Sequence, residues 1–212
     1  VDGDGRPDVF LASLHGDNRL FRNLGGARFE DVSARAGVAC TGHSCMGCAF
    51  ADVDGDGDLD LLVTGLGMGT RLFLNDGSGR FSESTGSGLA RAGGARTIAM
   101  ADIDGDGDLD LYVACYRAVS SKDDPQRVKL TRTADRVEVP EGLRDRFMAE
   151  VAGDGRAALI ELGEPDGLYL NDGAGRFSPV SWTGGAFMDA DGRALVEPPR
   201  DWGLCAMFRE DR

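Results

Sequence analysis

The chain has 212 residues, of which 42% are hydrophobic and 28% charged, and this composition fits one folded unit or one part of a larger repeat array. Its 36 acidic and 23 basic residues give a net charge of −13, which argues against binding to nucleic acid or anionic lipid and makes cations the natural partners. The apolar runs fall far below the roughly 20 residues that a transmembrane helix needs, so we expect no membrane span.

The first predicted element is an acidic loop at residues 2–8, and similar loops recur at 52–60 and 102–110. Asp8 and Asp60 are 52 residues apart and Asp60 and Asp110 are 50 apart, which defines a repeat. Short runs rich in Val, Leu, Phe and Tyr follow each loop, bounded by Gly, Asn or Asp, and this is typical of strands joined by tight turns. Four such strands in each repeat predict an all-β fold, a β-propeller of four-stranded antiparallel blades.

The second repeat is the best preserved and defines the unit. We predict strands at residues 46–51, 61–66, 71–75 and 81–85, with the acidic loop at 52–60 and a Gly-rich turn at 76–80. The turn contains Asn75-Asp76-Gly77, a sequence that favours residues at positive φ.

An insertion interrupts the third repeat. Its second strand runs to residue 116 and its third begins only at 168–171, so we place the insertion at 117–165. Pro140 favours a short helix at 141–146, and two hairpins are expected, one pairing 148–151 with 157–161 and one spanning 186–196. Because insertions of this kind project from a propeller face, we expect this one to carry the specificity of recognition.

The blade boundaries follow from the repeat: blade one, incomplete, at 1–45, blade two at 46–95, blade three at 96–202, and the start of blade four at 203–212. The apolar run at 204–208 resembles another inner strand. Two whole blades with parts of two more cannot close a ring, so we expect the remainder of the propeller to be missing from this sequence. Exposed sheet edges and apolar faces should then make the isolated piece self-associate.

The acidic loops have the spacing of a calcium loop. Carboxylates at the first, third and fifth positions can surround one ion, Gly at the sixth permits the sharp turn, the seventh residue offers its carbonyl and an Asp at the ninth closes the cage. All these donors are hard oxygens, so Ca²⁺ is favoured over zinc, copper or Mg²⁺. The predicted metal ligands are Asp52, Asp54, Asp56, Asp58 and Asp60 in the second loop, Asp102, Asp104, Asp106, Asp108 and Asp110 in the third, and Asp2, Asp4, Arg6 and Asp8 in the first.

Two features refine this interpretation. An EF-hand would need a bidentate Glu at the twelfth position, where Val63 and Val113 stand, so the loop exits into a strand instead. The first loop has fewer carboxylates, and Arg6 places a positive side chain beside it, so we expect it to bind calcium weakly or not at all.

The loops resemble the FG-GAP repeats of integrin α-subunit propellers and of bacterial VCBS proteins. The segments 18–23 and 42–47 and the inserted third repeat are more closely similar to the cartilage acidic protein family, whose members often carry an ASPIC/UnbV domain. This resemblance implies a propeller of usually seven blades, about half of which would be present here. It also implies structural calcium, no catalytic residues, and a location outside the cytoplasm, whether extracellular, at the cell surface or periplasmic.

These observations favour a non-catalytic calcium-binding module that binds a protein or a glycan outside the cytoplasm. The alternative is the scaffold part of an extracellular polysaccharide-active enzyme, since calcium propellers also occur as lyase scaffolds. That enzyme would need a cluster of Lys, Arg, His or Tyr on one face, which two histidines and scattered basic residues do not obviously supply. A purely structural spacer is a third alternative.

The cysteines suggest an iron–sulfur site by their spacing, but a simpler interpretation is preferred. Cys40, Cys45 and Cys48 have a C-x4-C-x2-C pattern, with Cys115 and Cys205 as candidate fourth ligands. Cys48 aligns with an apolar Ile in the third repeat, so we expect it in the core. A disulfide between Cys40 and Cys45 is compatible with an oxidising compartment.

The remaining candidates favour structural roles. His15 and His43 lack the neighbours that mark a nucleophile and its base, so we expect turn or surface roles. Trp182 and Trp202 could stack on a sugar, but packing is expected to be their role. The acidic turns at Asp154 and at 189–192 lack the later carboxylates of the loop and are interpreted as hairpin turns.

Overall fold

A computed structural model of the chain describes residues 1–90, 92–120, 122, 128–133, 136–200 and 207–208. The chain folds into antiparallel sheets, with a single four-residue α-helix among the described residues. Within these same ranges, no helix has the length and apolar character needed to cross a membrane.

Sheet one follows the first acidic loop and has three strands. These are β1 (Val9–Leu11), β2 (Arg19–Gly25) and β3 (Arg28–Asp31), in the order β1-β2-β3. The short helix α1 (Ser33–Ala36) follows and ends at Gly37, whose φ of 79° is a left-handed conformation that favours glycine.

Sheet two has four strands in sequential order: β4 (Ser44–Ala51), β5 (Asp60–Leu66), β6 (Gly69–Asn75) and β7 (Phe81–Ser84). The strands predicted in this repeat are thus confirmed to within two residues at each end. Gly47 marks a bulge in β4, where an added Cβ would lie only 2.2 Å from the Arg96 carbonyl oxygen of the neighbouring sheet.

Sheet three also has four strands, but the insertion separates its second from its third. Strands β8 (Ala95–Ala101) and β9 (Asp110–Cys115) precede the insertion, and β14 (Gly167–Asn171) and β15 (Phe177–Pro179) follow it, in the order β15-β14-β9-β8. Glu164 ties the end of the insertion to this sheet, because its carboxylate accepts hydrogen bonds from the backbone N–H groups of Gly94 at 2.6 Å and Ala118 at 3.0 Å.

The insertion forms two small hairpins. One pairs β10 (Thr131–Arg132) with β11 (Val137–Glu138), and the other pairs β12 (Phe147–Val151) with β13 (Ala157–Glu161), which confirms the hairpin predicted there. The helix predicted at 141–146 is wrong in type and length, because only a 3-10 turn forms, at Glu141–Leu143. The hairpin predicted at 186–196 is reduced to a single bridge between Met188 and Ala194.

The three sheets share one register. The pairs Val9–Phe21, Leu61–Phe73 and Leu111–Tyr169 occupy equivalent places, and so do Asn23–Phe29, Asn75–Phe81 and Asn171–Phe177. Because the side-chain period of a strand is two, a shared register places the same apolar residues on the same face of each sheet. The repeat in the sequence is therefore a repeat in space.

Two apolar cores join the sheets in series. The first lies between sheets one and two and contains Leu20, Val38, Leu61 and Phe73, while the second lies between sheets two and three. Its members include Leu62, Leu72, Leu111 and Val113. Full burial of a Leu or Val side chain contributes roughly 1.5–3 kcal/mol, so each of these interfaces stabilises the chain.

The prediction that Cys48 belongs to the core is wrong, because its side chain is exposed. Cys48 pairs with Val63 on β4, and the described part of sheet one has no strand equivalent to β4 that could cover it. Its equivalent in sheet three, Ile98 on β8, packs against the second core because β4 lies next to β8. Cys40, Cys45 and Cys115 are likewise free thiols, and the described residues contain no cluster of three cysteines that could hold an iron–sulfur centre. Cys205, Trp202 and most of the strand predicted at 204–208 lie outside the described residues.

Candidate metal centres

Each candidate centre is a loop that enters a strand next to a buried aspartate. The second loop, 52–59, joins β4 to β5, and the third, 102–109, joins β8 to β9. The first loop leads into β1. All three loops lie at the same end of equivalent strands, because the sheets share one register.

In the second loop, carboxylate oxygens of Asp52, Asp54 and Asp56 all lie within 4.8 Å of one another. Backbone hydrogen bonds hold this arrangement. The Asp52 carboxylate accepts from the N–H groups of Gly55 at 2.9 Å and Gly57 at 3.0 Å, and Gly57 has a φ of 91° that a side chain would strain.

The third loop repeats this geometry. Asp102, Asp104 and Asp106 form the same group of three carboxylates, and Asp102 accepts from the N–H groups of Gly105 at 2.7 Å and Gly107 at 3.1 Å. The three side chains are exposed, in contrast to the partly buried Asp52 and Asp54.

Asp54 provides the test of whether these residues fit a cation. Its Oδ1 atom is buried and accepts no hydrogen bond, which is costly for a carboxylate. Burial, and after it the negative charge of Asp56, raise the pKa of Asp54 above its ordinary value. A hard cation among the three carboxylates would satisfy this oxygen and offset the repulsion, so the donor set fits an ion such as Ca²⁺.

Asp60 and Asp110 are fully buried and are not members of the three-carboxylate groups. The two oxygens of Asp60 accept from the N–H groups of Asn75 at 2.9 Å and Val53 at 3.2 Å. Asp110 accepts in the same way from Asn171 at 2.9 Å and Ile103 at 2.8 Å. Each aspartate therefore joins the start of its loop to the end of a strand, a role that sequence reasoning missed.

The constant interval from Asp to Asn was a signal for this role, since 15 residues separate Asp8 from Asn23 and also Asp60 from Asn75.

Burial raises the pKa of Asp60 to about 6, and the two backbone hydrogen bonds oppose that rise. The side chains of Asp58 and Asp108 also lie outside the groups of three.

The first loop differs because arginines hold its acids. Arg22 Nε lies 2.5 Å from an Asp2 oxygen, Arg22 also contacts Asp4 at 3.3 Å, and Arg6 pairs with Asp4 at 2.5 Å. The residues equivalent to Arg22 in the other two sheets are Leu74 and Leu170, and those equivalent to Arg6 are Asp58 and Asp108. Asp8 keeps the clamping role, accepting from the main-chain nitrogens of Val1 at 2.7 Å and Asn23 at 2.8 Å.

The other candidate residues have structural partners. The Trp182 indole donates to the Asp166 carbonyl at 2.7 Å and its ring stacks on Phe187 with centroids 3.9 Å apart, as the packing interpretation expects. His43 Nε2 lies 2.8 Å from an Arg71 guanidinium nitrogen. Neither arrangement brings a nucleophile to a general base.

The comparison with protein families gives one result. The family model of the FG-GAP-like repeat matches residues 1–63 and, in a second overlapping match, residues 52–113. Together these matches span more than half of the chain and include all three acidic loops. No curated protein is similar enough to count as a relative.

Proposed function

Because the chain belongs to the FG-GAP-like repeat family, we propose that it is a calcium-binding part of a β-propeller that serves as a non-catalytic binding or scaffolding module outside the cytoplasm. Repeats of this family are typically structural or binding modules and are commonly extracellular. The closer relation to the cartilage acidic protein family is part of the same proposal.

The observation that carries the calcium proposal is the buried, unpartnered Oδ1 of Asp54 within a group of three carboxylates. The ion would be held by Asp52, Asp54 and Asp56 in the second loop and by Asp102, Asp104 and Asp106 in the third. It would supply positive charge that neutralises each group and fixes the strand connection. Asp60 and Asp110 would support the loops from beneath through their backbone hydrogen bonds.

The serial packing of the sheets supports the propeller proposal. In a β-propeller, four-stranded blades with the same strand register pack face to face around an axis. The sheets of this chain also pack face to face in series, with one apolar core between each neighbouring pair. In this proposal the three sheets are propeller blades that lie within residues 1–45, 46–95 and 96–202. The resemblance to known propellers implies a ring of seven such blades.

The insertion is the proposed recognition element. It holds nine of the 23 basic residues and ten of the 36 acidic ones, so it is nearly neutral within an otherwise strongly acidic chain. An open cleft of about 680 Å³ lies between it and the segment before residue 200, with Arg144, Met148, Leu162 and Arg200 among its walls. The lining also includes Asp145 and Glu197, and apolar walls beside side chains of both charges suit a protein segment or a glycan.

Native mass spectrometry tests the calcium proposal. Two calcium ions should bind to each chain, and Asp54→Asn should remove one of them. Asp17→Asn, which removes an exposed carboxylate outside the loops, is the matched control and should leave both ions in place. A chain that binds no calcium, or an Asp54→Asn variant that still binds two ions, would contradict the proposal.

A binding screen tests the proposed module. The chain should retain an extracellular protein or glycan polymer without altering it, and deletion of residues 119–162 should abolish retention. Release of shorter glycans would show that the polysaccharide-active alternative is correct.

A further inference from the structure

Three sulfur atoms meet between sheets one and two, at the end of β5 that lies far from the acidic loop. Cys45 Sγ lies 3.8 Å from Met68 Sδ, and the Cys40 thiol donates a hydrogen bond to Cys45 Sγ. Cys45 and Met68 are each 2% exposed, and Cys40 is half-buried. We call these three residues the sulfur cluster. None of them belongs to the acidic loops, so the proposed function leaves the cluster without a role.

Packing does not require a sulfur atom at Cys45. Cys45 pairs with Gly65 on β5 as Ala95 pairs with Cys115 on β9, so Ala95 is its equivalent in sheet three. Ala95 is 3% exposed and belongs to the second core. An alanine therefore fills the place in sheet three that the cysteine fills in sheet two. Because the reactivity of a free cysteine is more often decisive than its packing, the thiol points to chemistry.

The backbone is shaped so that Met68 reaches this thiol. Met68 lies in the two-residue connection between β5 and β6, and a glycine at positive φ stands on either side of it. Side chains of such connections usually face solvent, but that of Met68 is buried over Gly65. A Cβ added at Gly65 would lie 2.7 Å from Met68 Sδ and would also clash with the Ser44 carbonyl oxygen. The missing side chain at Gly65 thus leaves room for the Met68 sulfur beside Cys45.

A turn returns Cys40 to the same place. The His43 N–H donates to the Cys40 carbonyl oxygen at 3.1 Å, which closes a turn over residues 40–43. Cys40 has a φ of 50°, and among the non-glycine residues that the structure describes only Ala27 shares such a left-handed conformation. Strained backbone of this kind is found most often at functional sites. The strain at Cys40 is therefore a second sign that this thiol has a chemical role.

The surroundings of Cys45 favour the thiolate, which is the form that binds a metal. The hydrogen bond from Cys40 lowers the pKa of Cys45, burial opposes this change, and the Asn18 side chain and the positive charge of Arg71 assist it. The pKa of Cys45 lies below its ordinary value as a result. The same Arg71 charge offsets the net negative charge that two thiolates keep when they hold a monovalent cation.

We propose that the sulfur cluster binds one copper(I) ion, with Cys40 and Cys45 as thiolate ligands and Met68 as a thioether ligand. Thiolate and thioether sulfur together select copper(I), whereas zinc takes thiolate, imidazole or carboxylate and an iron–sulfur cluster needs four ligands. A first-row metal lies about 2.3 Å from a thiolate sulfur, so two sulfurs of a trigonal site lie about 4.0 Å apart. The 3.8 Å between Cys45 Sγ and Met68 Sδ fits this value.

Two features complete the assignment. Cys40 is half-buried, so its thiol offers the ion a way in from the surface. A disulfide between Cys40 and Cys45 would use only two of the three sulfurs and would leave the inward turn of Met68 unexplained. The site is also separate from the carboxylate groups, whose hard oxygens disfavour copper(I).

Titration of the reduced chain with copper(I), without oxygen and in competition with bicinchoninate, tests the proposal. Native mass spectrometry should show one copper ion in each chain, and a calcium chelator should leave it in place. Cys45→Ala, which installs the residue of sheet three, should abolish binding. Met68→Leu keeps the side-chain volume and should weaken binding at least about tenfold, since even outer-shell partners of a metal contribute about 10–100-fold. Cys48→Ala is the control, because Cys48 is an exposed thiol on the same strand.

X-ray absorption at the copper edge gives a second readout and should show sulfur neighbours only. A reduced chain that binds no copper(I), whether or not Cys40 and Cys45 later oxidise to a disulfide, would overturn the proposal. Equal binding by the Met68→Leu variant would contradict the role of the thioether. Loss of the ion in Cys48→Ala would move the site away from the sulfur cluster and would overturn the assignment as well.

Discussion

Calcium should raise the melting temperature of the chain, and the second and third loops should account for the whole effect. Extracellular calcium modules bind with dissociation constants of roughly 10⁻⁴ to 10⁻³ M. At about ten times that constant, one occupied site stabilises the fold by about 1.4 kcal/mol, so two sites contribute about 3 kcal/mol. For a chain of this size that corresponds to a rise of roughly 6–12 °C.

We expect particular carboxylates to account for this effect. Asp56→Asn and Asp106→Asn each remove one member of a three-carboxylate group and should each abolish about half of the rise. Asp4→Asn should change it little, because Arg6 and Arg22 already neutralise the first loop.

Differential scanning fluorimetry with calcium or chelator measures these shifts. The rise should reverse when chelator is added in excess. A melting temperature that ignores chelator, or an Asp4→Asn variant that loses as much as Asp56→Asn, would refute the reasoning.

Three further predictions concern the loops and the insertion. Arg22→Leu should lower stability in chelator slightly, since Asp2 loses its ion-pair partner while Asp4 keeps Arg6, and an unchanged free energy of unfolding in chemical denaturation would contradict this expectation. Gly88→Ala should cost about 1–3 kcal/mol, because a Cβ would lie 2.0 Å from the backbone carbonyl oxygen of Phe177, whereas Gly26→Ala, also at positive φ but with open space, should cost less in the same measurement. Deletion of residues 119–162 should keep the calcium-dependent melting shift, and its loss would place the insertion in the core.

The strands and loops could be predicted from the sequence because the same pattern of apolar residues and aspartates occurs three times. Three copies of a pattern carry more information than any single segment. Sequence reasoning did not reveal the hydrogen bonds of Asp60, because the sequence shows the aspartate but not the two backbone N–H groups from which its carboxylate accepts. The place of Asp60 among the calcium ligands stays a prediction. The pairing of Arg22 with the first loop was missed because the two lie on different elements.

The errors have physical causes as well. Cys48 was expected in the core from its alignment with Ile98, but the two strands are covered differently: β4 packs against β8, whereas the described part of sheet one has no strand equivalent to β4 that could cover Cys48. The segment after Pro140 has helix-start chemistry but forms only one 3-10 turn, because Phe147 opens a strand paired with β13 four residues after the turn ends.

An anomalous difference map from a crystal grown with calcium would test the central claim most directly, because it locates the ions. The account predicts one peak among Asp52, Asp54 and Asp56, at roughly 2.3–2.6 Å from their oxygens, and a second among Asp102, Asp104 and Asp106. No peak is expected in the first loop, where Arg6 and Arg22 form ion pairs with Asp2 and Asp4. Loops without peaks, or a peak of equal height beside Asp2 and Asp4, would contradict the account.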